Sequence, residues 1–333
     1  MQTTGIMIQT LCVPCACRCR YCLLDWDGKL PGAAFDRSRD YALRFYSWIK
    51  ENRPALSFHF SFGFSMDHPA LFDALDVLNG IGSVSGRFLQ FDGFTFRSDE
   101  ALRELLTGIR AHGAETLNFT FYGTEAYHDR FAARPGDYAF MLKTIRFAKA
   151  TGLRVTAGIP LTTENAGQAA SLLHALTDAG AEDIRFFVPH AEGRGKHLEP
   201  IRLTADVFEQ LPREVKAKLN RNVYKTEAAF CEPGAIKEET ARMLLLSLTP
   251  ETVEAWERTP FDETIRRLEE LDETYYAAFP SQTELVRTFG DPRSDRFYTQ
   301  RDLLAAYRMR FAAAHGLSLY DVTNERQSGS RRY

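Results

Sequence analysis

Five of the six cysteines fall within eleven positions of one stretch, LCVPCACRCRYCLL, at Cys12, Cys15, Cys17, Cys19 and Cys22. Thiolates hold soft metals, close disulfides or attack electrophiles, and spacing separates these uses. The opening MQTTGIMIQT has no basic segment followed by a long apolar run, so the chain reads as cytoplasmic, where thiols stay reduced. A metal site is then expected in preference to a disulfide framework. Zinc sites built from two C-x2-C knuckles need roughly 15 residues between the pairs to wrap the ion. Here the gap is three residues. The bacterial ferredoxin run also fails, because Cys17 and Cys19 break its register. One subset has a regular spacing of its own: Cys15, Cys19 and Cys22 form C-x3-C-x2-C, with Tyr21 just before the last cysteine.

That subset resembles the signature of the radical S-adenosylmethionine (radical SAM) enzymes. The resemblance implies that Cys15, Cys19 and Cys22 hold a 4Fe–4S cluster whose fourth iron is left for the amino and carboxylate groups of SAM. It implies reductive cleavage of SAM to methionine and a 5'-deoxyadenosyl radical, fed by a reductant such as flavodoxin or ferredoxin. Cys12, in the apparent strand IMIQTLCV, and Cys17, at a spacer position, are expected to be packed thiols. A zinc or storage-cluster site stands as the alternative.

The elements that must position these cysteines read as repeated βα units. LSFHFSFGF sets Leu56, Phe58, Phe60, Phe62 and Phe64 against Ser57, His59, Ser61 and Gly63. TLNFTFYG and RVTAGIPLT alternate in the same way, placing Asn118 and Thr120, and Thr156 and Thr162, on the polar faces. Amphipathic stretches such as SDEALRELLTGIRAHG and DYAFMLKTIRFAKATG intervene. Strands are expected near residues 6–13, 57–63, 87–92, 116–122, 154–160 and 183–188, giving an α/β fold with a partial (β/α)6 TIM barrel of the radical SAM type. Parallel-barrel strands are usually apolar on both faces, so a polar inner face predicts a lumen filled by water or a polar ligand. Antiparallel strands with one solvated face are the alternative.

The resemblance runs over about residues 6 to 203 and assigns further roles by position. After its second strand the family usually has a Gly-Gly-Glu-Pro turn for the SAM amino group. Here FGFSMDHP keeps Gly63 and has no Glu. Asn118, Thr120, Thr156 and Thr162 are expected near the ribose, Ile159 and Val188 beside the adenine, and Arg194 at the SAM carboxylate. Ordinary core packing is the competing expectation for Ile159 and Val188, and a solvated loop arginine for Arg194. His128 and Asp129, in YHD, are expected to fix the loop after the fourth strand.

Two residues are singled out for chemistry beyond the cluster. His59 is an imidazole facing inward from mid-strand, suited to orienting substrate or exchanging a proton, with a satisfied core histidine as the alternative. Cys231 is a lone thiol past the barrel that would serve as hydrogen-atom donor if the enzyme were an epimerase. Residues 1–203 are expected to form the core barrel and 204–333 a mainly helical cap. FCEPGAIKEETARMLLLSLTP resembles the start of the auxiliary-cluster extensions of related enzymes, but Cys12, Cys17 and Cys231 are too few for a four-cysteine cluster.

Composition limits the partners. With 26% charged residues and a net charge of -3 there is no general basic footprint for nucleic acid, and the RQSGSRRY end reads as solvated. No stretch of about 18 apolar residues predicts a membrane span. The expected function is hydrogen abstraction from a peptide or small-molecule substrate. The alternative of another class is a non-catalytic iron–sulfur or zinc-binding module.

Overall fold

A computed structural model describes residues 1–10, 15–22, 33–61, 63, 66–191 and 193–317. Cys12, Phe62, Phe64, Ser65 and the basic end from Arg326 lie outside the described residues. The fold is mixed α/β with parallel sheets. The first six strands are β1 (Gln2–Thr10), β2 (Ser57–Ser61), β3 (Phe88–Gln90), β4 (Thr116–Thr120), β5 (Arg154–Pro160) and β6 (Asp183–Phe187). Helices separate each from the next, among them Phe35–Asn52, Leu71–Gly80, Asp99–Ala111, Asp137–Ala150 and Ala169–Ala179. Three further strands follow, β7 (Lys225–Thr226), β8 (Ala241–Leu248) and β9 (Phe297–Tyr298).

Pairing is parallel in β3-β4-β5-β6 and in β2-β1-β8, and among the described residues the break falls between β2 and β3. β8 was not anticipated. It comes from beyond residue 203 yet runs beside β1, with Ile6 opposite Leu244 and Ile8 opposite Leu246. The sheet therefore draws on both regions.

Alternation sorts the faces as the sequence predicts. Leu117, Phe119, Val155, Ala157 and Ile184 pack outward with Leu106, Ile145 and Leu172 of the covering helices, while Phe60, Ile6 and Leu246 pack with Phe45, Ile49 and Leu268. Capping agrees with local chemistry: the Ser98 hydroxyl accepts from Ala101 N–H at 3.2 Å and Thr299 caps the helix Gln300–His315, which ends on Gly316 at φ 65°. No helix among the described residues is long and apolar enough to cross a membrane.

If β8 is an integral strand, Leu246→Ala removes a side chain only 2% exposed and should cost about 2–5 kcal/mol in urea unfolding. A loss under about 1 kcal/mol, the size of an ordinary surface substitution, would show that β8 is not part of the cooperative core.

Candidate functional site

The segments that follow the carboxyl ends of β1, β3, β4 and β6 converge on the cysteine loop. Ala16 N–H donates to Gly93 O at 2.6 Å, Arg18 N–H to Ala132 O at 2.9 Å, Arg20 N–H to Phe131 O at 3.0 Å, and Arg194 N–H to Cys22 O at 2.9 Å. These bonds seat the loop by its backbone, with Cys17 buried and Cys15, Cys19 and Cys22 half-buried. Cys17 and Tyr21 are buried with Tyr122, Tyr127, Phe131 and Leu198, and Cys15, Cys19 and Phe187 pack against them. Gly93 has φ 68°, and a Cβ there would stand 2.3 Å from Cys15 Sγ, so only glycine lets the loop approach this closely.

Beneath the loop, a buried polar network fixes the first turn of the helix Asp137–Ala150. Tyr122 N–H donates to His128 Nδ1 at 3.2 Å, so Nε2 carries the hydrogen that reaches Asp137 Oδ2 at 3.0 Å. Arg134 donates to Asp137 Oδ1 at 2.9 Å, and the Cys17 thiol lies 3.8 Å from Oδ2. Asp129 accepts from Gly136 and Tyr138 N–H. His128 and Asp129 therefore hold the loop after β4, as expected from YHD.

The thiols meet pairwise: Cys15 with Cys17, and Cys17 with Cys19. The Cys17 hydrogen bond and burial push the Cys15 thiol well up. For Cys17 the bond from Cys15 acts the other way, but Cys19 and burial outweigh it and the thiol is also raised. Burial, with Cys19 and Asp92 close by, holds the Tyr122 phenol well above its ordinary value. Arg18 donates to the carbonyls of Cys15 and Cys17, and Arg194 to that of Cys19 at 3.2 Å, so these guanidinium bonds go to backbone oxygen. Buried thiols of this kind become thiolates when a metal replaces their protons. Among the described residues no three ligating side chains surround a single point. The donor set suits a soft metal or iron–sulfur group that gathers its own ligands on binding.

The inner face of the sheet is polar and internally bonded. Gln90, Asn118 and Thr156 stand opposite one another across β3, β4 and β5. Thr156 donates to Asn118 Oδ1 at 2.8 Å, Asn118 Nδ2 to Gln90 Oε1 at 2.7 Å, and Gln90 Nε2 to Thr120 Oγ1 at 3.0 Å. Asp92 closes the row, accepting from Thr120 N–H at 2.9 Å and from Gln90 Nε2. Burial pushes the Asp92 carboxyl up to about 6, against the hydrogen bonds that favour its charge.

The structure separates the residues singled out from sequence. Cys15, Cys19, Cys22, Tyr21 and Arg194 meet in or against the loop. Asn118, Thr120 and Thr156 face inward, while Thr162 is buried and bonded to Asn165 Oδ1 at 3.1 Å in the turn after β5. His59, half-buried, lies on the face of β2 opposite Phe58 and Phe60. Gly63 has φ 68°. Ile159 and Val188 are corrected: both lie in the core behind the sheet, because odd-numbered positions of β5 point to the helices and Val188 follows the inward Phe187, whose ring stands over Gly158. Cys17 is buried as expected but touches the flanking thiols. Cys231 packs with Phe230, Leu285 and Tyr307 and lines a separate cavity of about 380 Å³. His190 and Asp302 were missed, whereas Gln90, Asp92 and Tyr122 fall on the polar halves of RFLQFDGF and TLNFTFYG without having been given a role of their own.

No family model and no curated protein matches the chain. SuiB from Streptococcus suis bound to S-adenosylmethionine aligns at a TM-score of 0.47 and 11% identity, over 78% of this chain and 65% of SuiB. SuiB bound to the precursor peptide SuiA gives 0.46 and 10%, over 78% and 62%. Coproporphyrinogen III oxidase (HemN) from Escherichia coli, a radical SAM enzyme, gives 0.42 and 12%, over 93% and 91%. The chain thus spans less than two thirds of SuiB.

Gly93→Val should lower the iron retained after anaerobic reconstitution by at least half, because the side chain takes the space of Cys15 Sγ. Gly167→Ala, where a Cβ meets nothing within 4 Å, should retain as much as the parent. Equal iron in both variants would show that the seat of Cys15 does not matter.

Proposed function

We propose that this chain is a radical SAM enzyme that cleaves S-adenosylmethionine reductively and abstracts hydrogen from a peptide or small-molecule substrate. The observation that supports this reading is the convergence of the half-buried Cys15, Cys19 and Cys22 with the buried Cys17 at the carboxyl ends of parallel strands, above a polar inner sheet face. Cys15, Cys19 and Cys22 would hold a 4Fe–4S cluster, which when bound with SAM supplies a 5'-deoxyadenosyl radical. Tyr21 and Phe187 would exclude water beside the loop with their rings 5.8 Å apart. The inward amides and hydroxyls of Asn118, Thr120 and Thr156 would orient the polar parts of the ligand, and Arg194 would brace the loop through Cys19 and Cys22. Residues 204–317 would border the mouth through the helix Gln300–His315, while β8 serves the sheet. A small one-electron carrier would deliver the reducing equivalent at the loop.

Gly63, at φ 68°, would let a ligand approach the backbone after β2, and the carboxylate that the resemblance places next to it is absent from this sequence. An electron carrier or storage module has no need of the polar row from Gln90 to Thr156, which favours the enzyme reading over a non-catalytic one.

Anaerobic incubation with iron, sulfide, SAM and dithionite should yield 5'-deoxyadenosine from the parent and none above background from the triple variant Cys15→Ala, Cys19→Ala, Cys22→Ala. Equal amounts from both, or none from either with full iron loading, would refute this function.

A further inference from the structure

The mouth contains a second constellation that the cluster chemistry does not use. His190 lies three residues past β6, with its ring 6.4 Å from that of Tyr21 at an interplanar angle of 18°. The ring of Phe187, the last residue of β6, lies 6.4 Å from that of His190. Its Nδ1 meets both carboxylate oxygens of Asp302, at 2.9 and 3.0 Å. Asp302 is 1% exposed, in the first turn of the helix Gln300–His315. Nε2 of His190 has no hydrogen-bond partner among the described residues, and 18% of the side chain remains exposed.

A carboxylate this buried is costly unless paired. Burial opposes its charge, but the His190 hydrogen bond and attraction, the Thr299 hydroxyl at 2.6 Å and the nearby Arg202 outweigh it and hold Asp302 below the usual carboxylate range. Arg202 is itself anchored, donating to Pro189 O at 3.0 Å and to Glu199 at 2.8 Å. Asp302 is thus a fixed anion whose function towards the imidazole is set by geometry. It accepts the Nδ1 hydrogen, leaves the Nε2 lone pair free, and stabilises the ring if Nε2 takes up a proton.

We propose that His190 is the proton-transfer residue facing the substrate, with Asp302 as its positioning residue. The proposal rests on the enzyme reading above and adds a substrate class to it: a molecule with an O–H or N–H group presented to Nε2 and a flat or apolar part lying on Tyr21 and Phe187. The step is a simple exchange. The substrate O–H or N–H bond breaks, its electron pair stays on oxygen or nitrogen, and the proton forms an N–H bond at Nε2. The imidazolium is then paired with Asp302 and returns its proton to product or solvent. A strut that merely ties the helix to the loop would not need an Nε2 without a partner on a side chain that is still partly exposed.

The test uses the full-length protein. Proton–nitrogen correlation spectra with isotopically labelled histidine should show His190 as the Nδ1–H tautomer in the parent and the Nε2–H tautomer in Asp302→Asn. Diethyl pyrocarbonate, which attacks an unprotonated accessible ring nitrogen, should modify His190 in the parent and do so about tenfold or more slowly in the variant, whose ring presents the wrong nitrogen. The exposed His174 should react equally in both. An Nε2–H tautomer in the parent, no modification of His190 while His174 reacts, or equal rates in parent and variant would overturn the proposal. If the variant does not fold, the parent's tautomer together with its modification by diethyl pyrocarbonate still tests the proposal. Loss of 5'-deoxyadenosine formation would remove the radical reading without changing either His190 result.

Discussion

The cysteine loop depends on one buried charge. Asp137 sits almost without solvent contact under the loop and is neutralised by Arg134, oriented by His128 and approached by the Cys17 thiol. Removing one partner from a buried pair of this kind typically costs about 3–5 kcal/mol, because the remaining charge has no water to replace the lost bond. The network also spans the chain. Arg134 reaches Phe94 O after β3, His128 takes the Tyr122 N–H after β4, and Arg18 N–H is bonded to Ala132 O beside it. A single anion thereby brings the segments after β3 and β4 and the cysteine loop to a common point.

The inner sheet face illustrates a different constraint. Polar side chains in a parallel sheet must bond one another or a ligand. Here Thr156, Asn118, Gln90 and Thr120 form a continuous row ending at Asp92, so the lumen can be polar before any ligand arrives. Satisfied in this way, the row is rigid.

Much of this was legible in the sequence where local periodicity decides the structure. Period-2 alternation located β2, β4 and β5 within a few residues. β8 was missed because RMLLLSL is a short continuous apolar run, buried on both faces, which periodicity cannot tell from a core helix. Cysteine spacing identified the loop. The His190–Asp302 pair was not legible, since its members are 112 residues apart and neither has an unusual neighbour in sequence. Ile159 and Val188 lie in the core, the competing expectation, and for Ile159 the alternation of RVTAGIPLT already put it on the face opposite Thr156 and Thr162.

The assignment of ligands to Cys15, Cys19 and Cys22 is the claim on which the functional reading turns, because the structure also brings Cys17 against Cys15 and Cys19. Electron paramagnetic resonance of the reconstituted, dithionite-reduced protein, recorded with and without SAM, separates the two trios directly. Ligation by Cys15, Cys19 and Cys22 predicts a cluster signal that shifts on adding SAM in the parent and in Cys17→Ala, and that is absent from Cys22→Ala. A SAM-responsive signal that survives in Cys22→Ala and disappears in Cys17→Ala would contradict it.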